Sequence, residues 1–110
     1  MQVKVQHEKN IAIIFVAGDV DLYSSTSMRK AITEESKKKV PLIVVNLEGV
    51  DYMDSSGVAT LVEGLQLTGK YKGKFCIAGL KPSVREVFEL ARLDRVFTIY
   101  GTMEEAVKAD

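Results

Sequence analysis

The sequence has few of the residues that build disulfides and metal sites. Its 110 residues include one cysteine, Cys76, one histidine, His7, and no tryptophan. A lone cysteine excludes an intramolecular disulfide, and one cysteine and one histidine far apart in the chain do not make a zinc site. We therefore expect a reducing, cytoplasmic setting, with no metal and no cofactor.

An excess of one charge and long apolar runs are also missing. The 15 basic and 15 acidic side chains give a formal net charge of zero, so no electrostatic footprint predicts binding to nucleic acid or to an anionic membrane. No apolar run approaches the roughly 20 residues that span a bilayer. Residues 1–5 alternate polar and apolar side chains, which is unlike a signal peptide.

The remaining composition is that of an ordinary globular domain. Hydrophobic residues make up 46% of the chain and charged residues 27%, which is close to the average for soluble proteins. A chain of this length is the size of one domain with a substantial core. We therefore treat residues 1–110 as a single domain.

The hydrophobic pattern predicts alternating strands and helices. Apolar alternation at residues 2–8 and a β-branched run at 11–16 predict an N-terminal hairpin. Further strands are predicted at 42–45, 75–78 and 96–100, each separated from the next by a segment of helical periodicity. The order β-β-α-β-α-β-α-β-α indicates an α/β fold. Its mixed sheet has an N-terminal β-hairpin followed by β/α units.

The most informative segment is Asp54-Ser55-Ser56-Gly57. It follows a predicted strand and opens the clearest amphipathic helix of the chain, and either Asp54 or Ser55 could be the N-cap. A phosphoryl group on a serine here would lie at the positive end of the helix dipole, so the helix need not melt. Spacing alone does not choose Ser55 over Ser56. Gly57 lacks a Cβ, so a partner protein could approach its backbone closely.

Three stretches give the chain a family resemblance: 18–21 (GDVD), 42–47 (LIVVNL) and 52–58 (YMDSSGV). With these residues the sequence resembles a STAS domain and, more narrowly, a stand-alone bacterial anti-sigma-factor antagonist. The likeness extends through residues 80–84 and the 96–97 pair, and it covers essentially the whole chain. It implies a STAS-like fold over residues 1–110.

The resemblance also implies a function, which is partner switching by a binding protein that is not an enzyme. The unphosphorylated protein would bind an anti-sigma factor with serine-kinase activity and so release the sigma factor. Phosphorylation would end that binding, and a serine phosphatase would reset the switch. Carried over by position, the phosphoacceptor is Ser55. The expected partner-binding residues are Asp21, Tyr23, Asp54, Ser55, Ser56 and Gly57. We expect a monomer when the protein is free.

Two catalytic alternatives use some of the same residues. A phosphoacceptor-aspartate receiver would draw on Asp19, Asp21, Asp54 and Lys81, but it needs a clustered acidic pocket for Mg²⁺. A serine hydrolase would need a base near its nucleophile, and the one histidine, His7, lies on a predicted hairpin strand.

Two further alternatives concern binding. The glycine- and lysine-rich residues 69–74 lack the pattern of a phosphate-binding loop and precede a strand, which favours a solvated turn. The other alternative shares the fold: a STAS scaffold, sensor or transporter-associated subunit that phosphorylation does not control.

Overall fold

A computed structural model describes residues 1–108, so the last two residues of the predicted domain lie outside the described residues. The elements in chain order are β1 Gln2–Glu8, β2 Ile11–Val20, α1 Ser25–Lys37, β3 Leu42–Met53, α2 Ser55–Gly69, β4 Lys74–Ala78, α3 Pro82–Leu90, a 3₁₀ turn Leu93–Arg95, β5 Thr98–Tyr100 and α4 Met103–Lys108.

The five strands form one mixed sheet in the order β1-β2-β3-β4-β5. β1 pairs antiparallel with β2 as the predicted hairpin, and the other neighbours are parallel. Each parallel connection carries a helix, as crossover connections require. The predicted α/β fold, with a hairpin followed by β/α units, is confirmed.

Both central strands are longer than the sequence predicts. β2 continues to Val20 and β3 continues to Met53, beyond the predicted strands at 11–16 and 42–45. The apolar run of β3 ends at Leu47, but its backbone goes on pairing with β2 through two register shifts. The extension was not predicted from sequence, because these irregularities interrupt the alternation of apolar and polar side chains while the backbone pairing continues. The extended strands bring Val20 beside Met53 at one edge of the sheet.

The last strand is shorter than predicted. It begins at Thr98, because Val96 closes the 3₁₀ turn and its N–H donates to the carbonyl of Leu93 at 3.0 Å. Phe97 is buried against Phe88, with the rings edge to face at 5.6 Å. Phe97 is therefore a core residue rather than part of the strand, and Val96 is exposed.

The sheet is covered unequally on its two faces. Helices α1, α2 and α3 bury the larger core against one face, with Met28, Leu61 and Phe88 fully enclosed. The short helix α4 packs Ala106 on the other face, where Cys76 is also buried. This arrangement leaves the start of α2 exposed at the edge of the sheet where β2 and β3 end.

Candidate functional site

The loops after β2 and β3 lie side by side at one edge of the sheet. Asp19 pairs with Tyr52, Val20 pairs with Met53, and the N–H of Asp54 donates to the carbonyl of Val20 at 3.0 Å. The carboxyl ends of parallel strands are where functional surfaces commonly lie in such sheets. The two predicted partner-binding segments, around Asp21 and around Asp54, therefore belong to one surface.

Asp54 is the N-cap of α2. Its backbone is extended, with φ −98° and ψ −174°, and its Oδ1 accepts the N–H groups of Ser56 at 2.9 Å and Gly57 at 3.4 Å. These bonds satisfy donors that a helix start leaves unpaired. The hydroxyl of Ser56 also donates to Oδ1, and this bond is the main cause that lowers the pKa of Asp54. Asp54 therefore carries its charge at neutral pH.

The structure distinguishes Ser55 from Ser56, which the sequence spacing alone does not. The hydroxyl of Ser56 is bonded to Asp54, and the side chain is half-buried. Ser55 is the first residue of α2 and is exposed, and within residues 1–108 its hydroxyl has no hydrogen-bond partner. Of the two hydroxyls, Ser55 is the one available to an approaching protein.

Gly57 has a packing role. It is buried, and a Cβ there would lie 2.6 Å from Cγ of Met53 and 2.8 Å from Cγ1 of Val20. The first turn of α2 therefore rests directly on the ends of β2 and β3. Gly57 stays a predicted partner-binding residue, and the space next to its Cα is filled from inside the protein.

Asp21 organises the turn before α1. Its Oδ1 accepts the N–H groups of Tyr23 at 3.0 Å and Ser24 at 2.9 Å, as aspartate does in tight turns. The backbone bond from Ser24 is the largest cause that lowers the pKa of Asp21. Asp21 is close enough to Asp54 that its charge slightly opposes the lowered pKa of Asp54. The edge therefore presents two neighbouring carboxylates.

Exposed apolar side chains lie on the same loops and strand end as this acidic pair. Tyr23 is 84% exposed, Leu22 66% and Tyr52 53%. Exposed large apolar side chains clustered with polar groups mark protein interaction sites, and tyrosine is enriched in interfaces. Leu22 and Tyr52 were not predicted from sequence, because Leu22 stands alone among polar residues and Tyr52 falls beyond the predicted end of β3.

Neither catalytic alternative has all of its groups assembled in one site. Lys81 contacts Asp51, with Nζ and Oδ1 2.5 Å apart, and within residues 1–108 no three His, Cys, Asp or Glu side chains are grouped to hold a metal ion. His7 contacts Glu35 at 2.6 Å. His7 pairs with Ala12, which lies at the far end of β2 from Val20. At ~3.3 Å per residue, Ala12 and Val20 are about 25 Å apart along the strand.

A model of the STAS domain matches residues 2–106. The chain belongs to the STAS domain family. This STAS domain is 23% identical over 108 residues to the anti-sigma F factor antagonist of Paenibacillus polymyxa, covering 97% of this chain and 92% of that protein.

Two solved structures resemble this STAS domain closely. An anti-sigma factor antagonist from Mycobacterium paratuberculosis superposes with a TM-score of 0.90 at 25% identity, covering 98% of this chain and 92% of that one. The Bacillus cell fate determinant SpoIIAA in its phosphorylated form superposes with a TM-score of 0.78 at 22% identity, covering 98% of both chains. Within residues 1–108 of the STAS domain, the helices are all too short or too polar to cross a bilayer.

Proposed function

We propose that this STAS domain protein is an anti-sigma-factor antagonist whose binding is switched by phosphorylation of Ser55. Unphosphorylated, it binds an anti-sigma factor that is also an ATP-dependent serine kinase, and this binding frees the sigma factor. The protein acts by binding and is itself the substrate of the kinase, without catalytic activity of its own. The observation that carries the proposal is the exposed, unbonded hydroxyl of Ser55, at the end of the sheet that also carries the exposed Tyr23, Leu22 and Tyr52.

The chemical step needs little from this chain. Oγ of Ser55 forms a bond to the γ-phosphorus of ATP, and the bond from that phosphorus to the β–γ bridging oxygen breaks. ADP leaves, and the hydroxyl proton passes to a base on the kinase. A serine phosphatase reverses the state by adding water, which releases inorganic phosphate and restores the hydroxyl. The contribution of Asp54 is to hold the first turn of α2 so that Ser55 projects outward.

The phosphoryl group changes the surface rather than the fold. It adds a charge of about −1.5 to −2 at the start of a helix, where the dipole favours negative charge. That charge joins the carboxylates of Asp21 and Asp54 within a surface that a partner would have to desolvate. A unit charge facing a like charge at 4 Å costs about 4 kcal/mol at an effective dielectric of 20. Because ~1.4 kcal/mol is tenfold in affinity, one phosphate is sufficient to end a micromolar interaction.

The test uses affinity capture from a lysate of the source organism. Ser55→Ala and Ser55→Asp proteins serve as baits, and captured proteins are identified by mass spectrometry. We expect a serine-kinase-like ATPase on the Ser55→Ala bait and its loss from the Ser55→Asp bait. Ser83→Asp is the matched control, because Ser83 is an exposed serine in the first turn of α3. It adds the same charge at another helix start and should capture the ATPase.

Equal capture of the same partners by the Ser55→Ala and Ser55→Asp baits would contradict the switch. Ser55 would then be a helix-start residue without regulatory function. Partners drawn from a membrane-transport complex, bound regardless of residue 55, would favour the scaffold or transporter-associated alternative.

A further inference from the structure

Two lysine-rich segments meet at the end of the sheet opposite Ser55. One is residues 37–39, where α1 ends, and the other is the turn 70–74 between α2 and β4. The hydroxyl of Tyr71 donates to the carbonyl of Val40 at 2.8 Å, across 31 residues of sequence. The N–H of Lys74 donates to the carbonyl of Pro41, also at 2.8 Å. These bonds hold the two segments together as one surface.

A shallow cleft of about 610 Å³, open to solvent, lies between these segments. We call it the lysine cleft. Its main lining residues are Lys37, Lys39, Lys70, Lys72, Leu67 and Tyr71.

The positive charge of the cleft is not neutralised from within the protein. Its four lysines are exposed, and in the part of the chain that the structure describes none of them forms an ion pair. The carboxylate of Glu35 is buried and is held by His7 at 2.6 Å and Lys38 at 3.3 Å. A group of unmatched like charges on a surface attracts ligands of opposite sign.

Helix dipoles account for only part of this arrangement. Lys37 ends α1 and Lys70 caps α2, where positive charge is favoured. Lys39 and Lys72 lie beyond the helices, with φ of +56° and +63°. That left-handed region favours glycine, or asparagine among other residues. Lys9 and Arg92, which do not line the cleft, have the same left-handed backbone, so the case for a ligand depends on the charge of the four lysines and not on their backbone conformation.

The cleft also has an apolar floor. Leu67 is half-buried, and the ring of Tyr71 lies over Gly73, where an added Cβ would be 2.4 Å from Cε1 of Tyr71. The methylene stems of the lysines extend this apolar surface. A ligand that fills the site therefore needs negative charge together with at least one apolar group.

We propose that the lysine cleft binds an acidic peptide segment of a partner protein. Its carboxylates would pair with the four ammonium groups, and an apolar side chain would rest on Leu67 and Tyr71. A simple phosphate polymer matches the charge but leaves the floor uncovered. The cleft is separate from the Ser55 surface, so a peptide bound there leaves Ser55 accessible, and the proposal does not depend on the function proposed above.

Fluorescence anisotropy with synthetic peptides tests this assignment. The probe is a labelled peptide of aspartate and glutamate residues around one leucine–phenylalanine pair. Two reference peptides either replace the acids by their amides or omit the apolar pair. We expect the probe to bind more tightly than both references. Its binding should weaken as salt shortens the screening length from about 30 Å at 0.01 M to about 8 Å at 0.15 M.

Variants locate the binding to the cleft. The double variant Lys37→Glu/Lys70→Glu, with one change on each wall, should weaken binding of the probe by about tenfold or more. The matched control Lys4→Glu/Lys30→Glu makes the same change in net charge at exposed lysines that do not line the cleft. It should bind nearly as the parent does. Leu67→Gln should weaken the probe but leave the peptide without the apolar pair unchanged. Circular dichroism verifies that each variant is folded.

Three results would overturn the proposal. The first is that the amide peptide binds as tightly as the acidic probe, or that neither binds at low salt. The second is that the control double variant loses as much affinity as the cleft variant. The third is that polyphosphate or a DNA oligonucleotide outcompetes the probe, and that Leu67→Gln does not change this competition. That result would assign the cleft to a phosphate polymer instead.

Discussion

Asp54 accepts hydrogen bonds from both the backbone N–H and the hydroxyl of Ser56, and so it leaves the neighbouring hydroxyl of Ser55 exposed. The carboxylate of Asp54 thus caps the start of α2 and distinguishes two serines that are adjacent in sequence, because it bonds the hydroxyl of only one of them. The following predictions test what this arrangement does for phosphorylation, stability and acid response.

Phosphate incorporation should depend on Ser55 and not on Ser56. Ser56→Ala removes a hydroxyl that is already bonded inside the first turn, so the protein should still accept one phosphate per chain. Ser55→Ala should accept none. Incubation with the captured kinase and ATP, followed by peptide mass spectrometry, measures this. Phosphate found on residue 56 of the parent protein would contradict the assignment.

The close packing of Gly57 predicts that the same Gly→Ala change has opposite effects on stability at two positions of α2. Gly57→Ala places a methyl group against Met53 and Val20 and should lower the free energy of unfolding by about 1–3 kcal/mol. Gly69→Ala, at the last residue of the same helix, meets no atom within 4 Å and should raise it by about 0.5–1 kcal/mol. Urea denaturation followed by circular dichroism measures both. If Gly57→Ala left the free energy of unfolding unchanged, the start of α2 would not be closely packed against Met53 and Val20.

The acid response of the protein should depend on Asp54 and Asp21. Both have pKa values lowered in the folded state, Asp54 chiefly by the hydroxyl of Ser56 and Asp21 chiefly by the N–H of Ser24. The unfolded chain therefore binds protons more readily than the folded protein. The stability that these groups contribute is fully present above their unfolded pKa of about 3.9, and it is lost as pH falls through the folded values.

Urea titrations between pH of about 5 and about 3 test this acid response. Asp54→Asn should show a smaller loss of stability across this range than the parent protein. Asp94→Asn removes an exposed carboxylate in the 3₁₀ turn and is the control, which should follow the parent. If Asp54→Asn lost stability as steeply as the parent when the pH falls, the charge of Asp54 would not contribute to the acid response.

Tyr71 should stabilise the fold through one long-range hydrogen bond. Tyr71→Phe keeps the ring over Gly73 but removes the donor to the carbonyl of Val40, which should cost about 1 kcal/mol. Burial raises the pKa of Tyr71, with a further contribution from the charge of Glu35, so the hydroxyl keeps its proton at neutral pH. Thermal unfolding of the two proteins at equal pH measures the difference. An unchanged midpoint would mean that water replaces this bond without loss.

Much of the fold and of the candidate site follows from local sequence. Asp54 before an apolar repeat at Val58 and Leu61 predicts a capped helix, because the cap and the periodicity are local properties. The choice of Ser55 over Ser56 does not follow, because it depends on which hydroxyl reaches the Asp54 carboxylate. The length of β3 was hidden because pairing continues past Leu47 through the bulges.

The long-range surfaces were the least predictable. Tyr52 lies beyond the predicted strand, and its exposure at the site follows from register with Asp19. Residues 69–74 are predicted as a solvated turn, and the sequence does not show that long-range contacts such as that between Tyr71 and Val40 bring them beside residues 37–39. Sequence patterns describe each segment but not which segments become neighbours.

We propose that one phosphate on Ser55 ends binding without altering the fold. Calorimetric titration of the captured anti-sigma factor, with the unphosphorylated protein and with protein carrying phosphoserine at position 55, measures this. We expect matching circular dichroism spectra for the two forms and a dissociation constant at least about tenfold higher for the phosphorylated one. Equal dissociation constants, or an unfolded phosphorylated form, would contradict it.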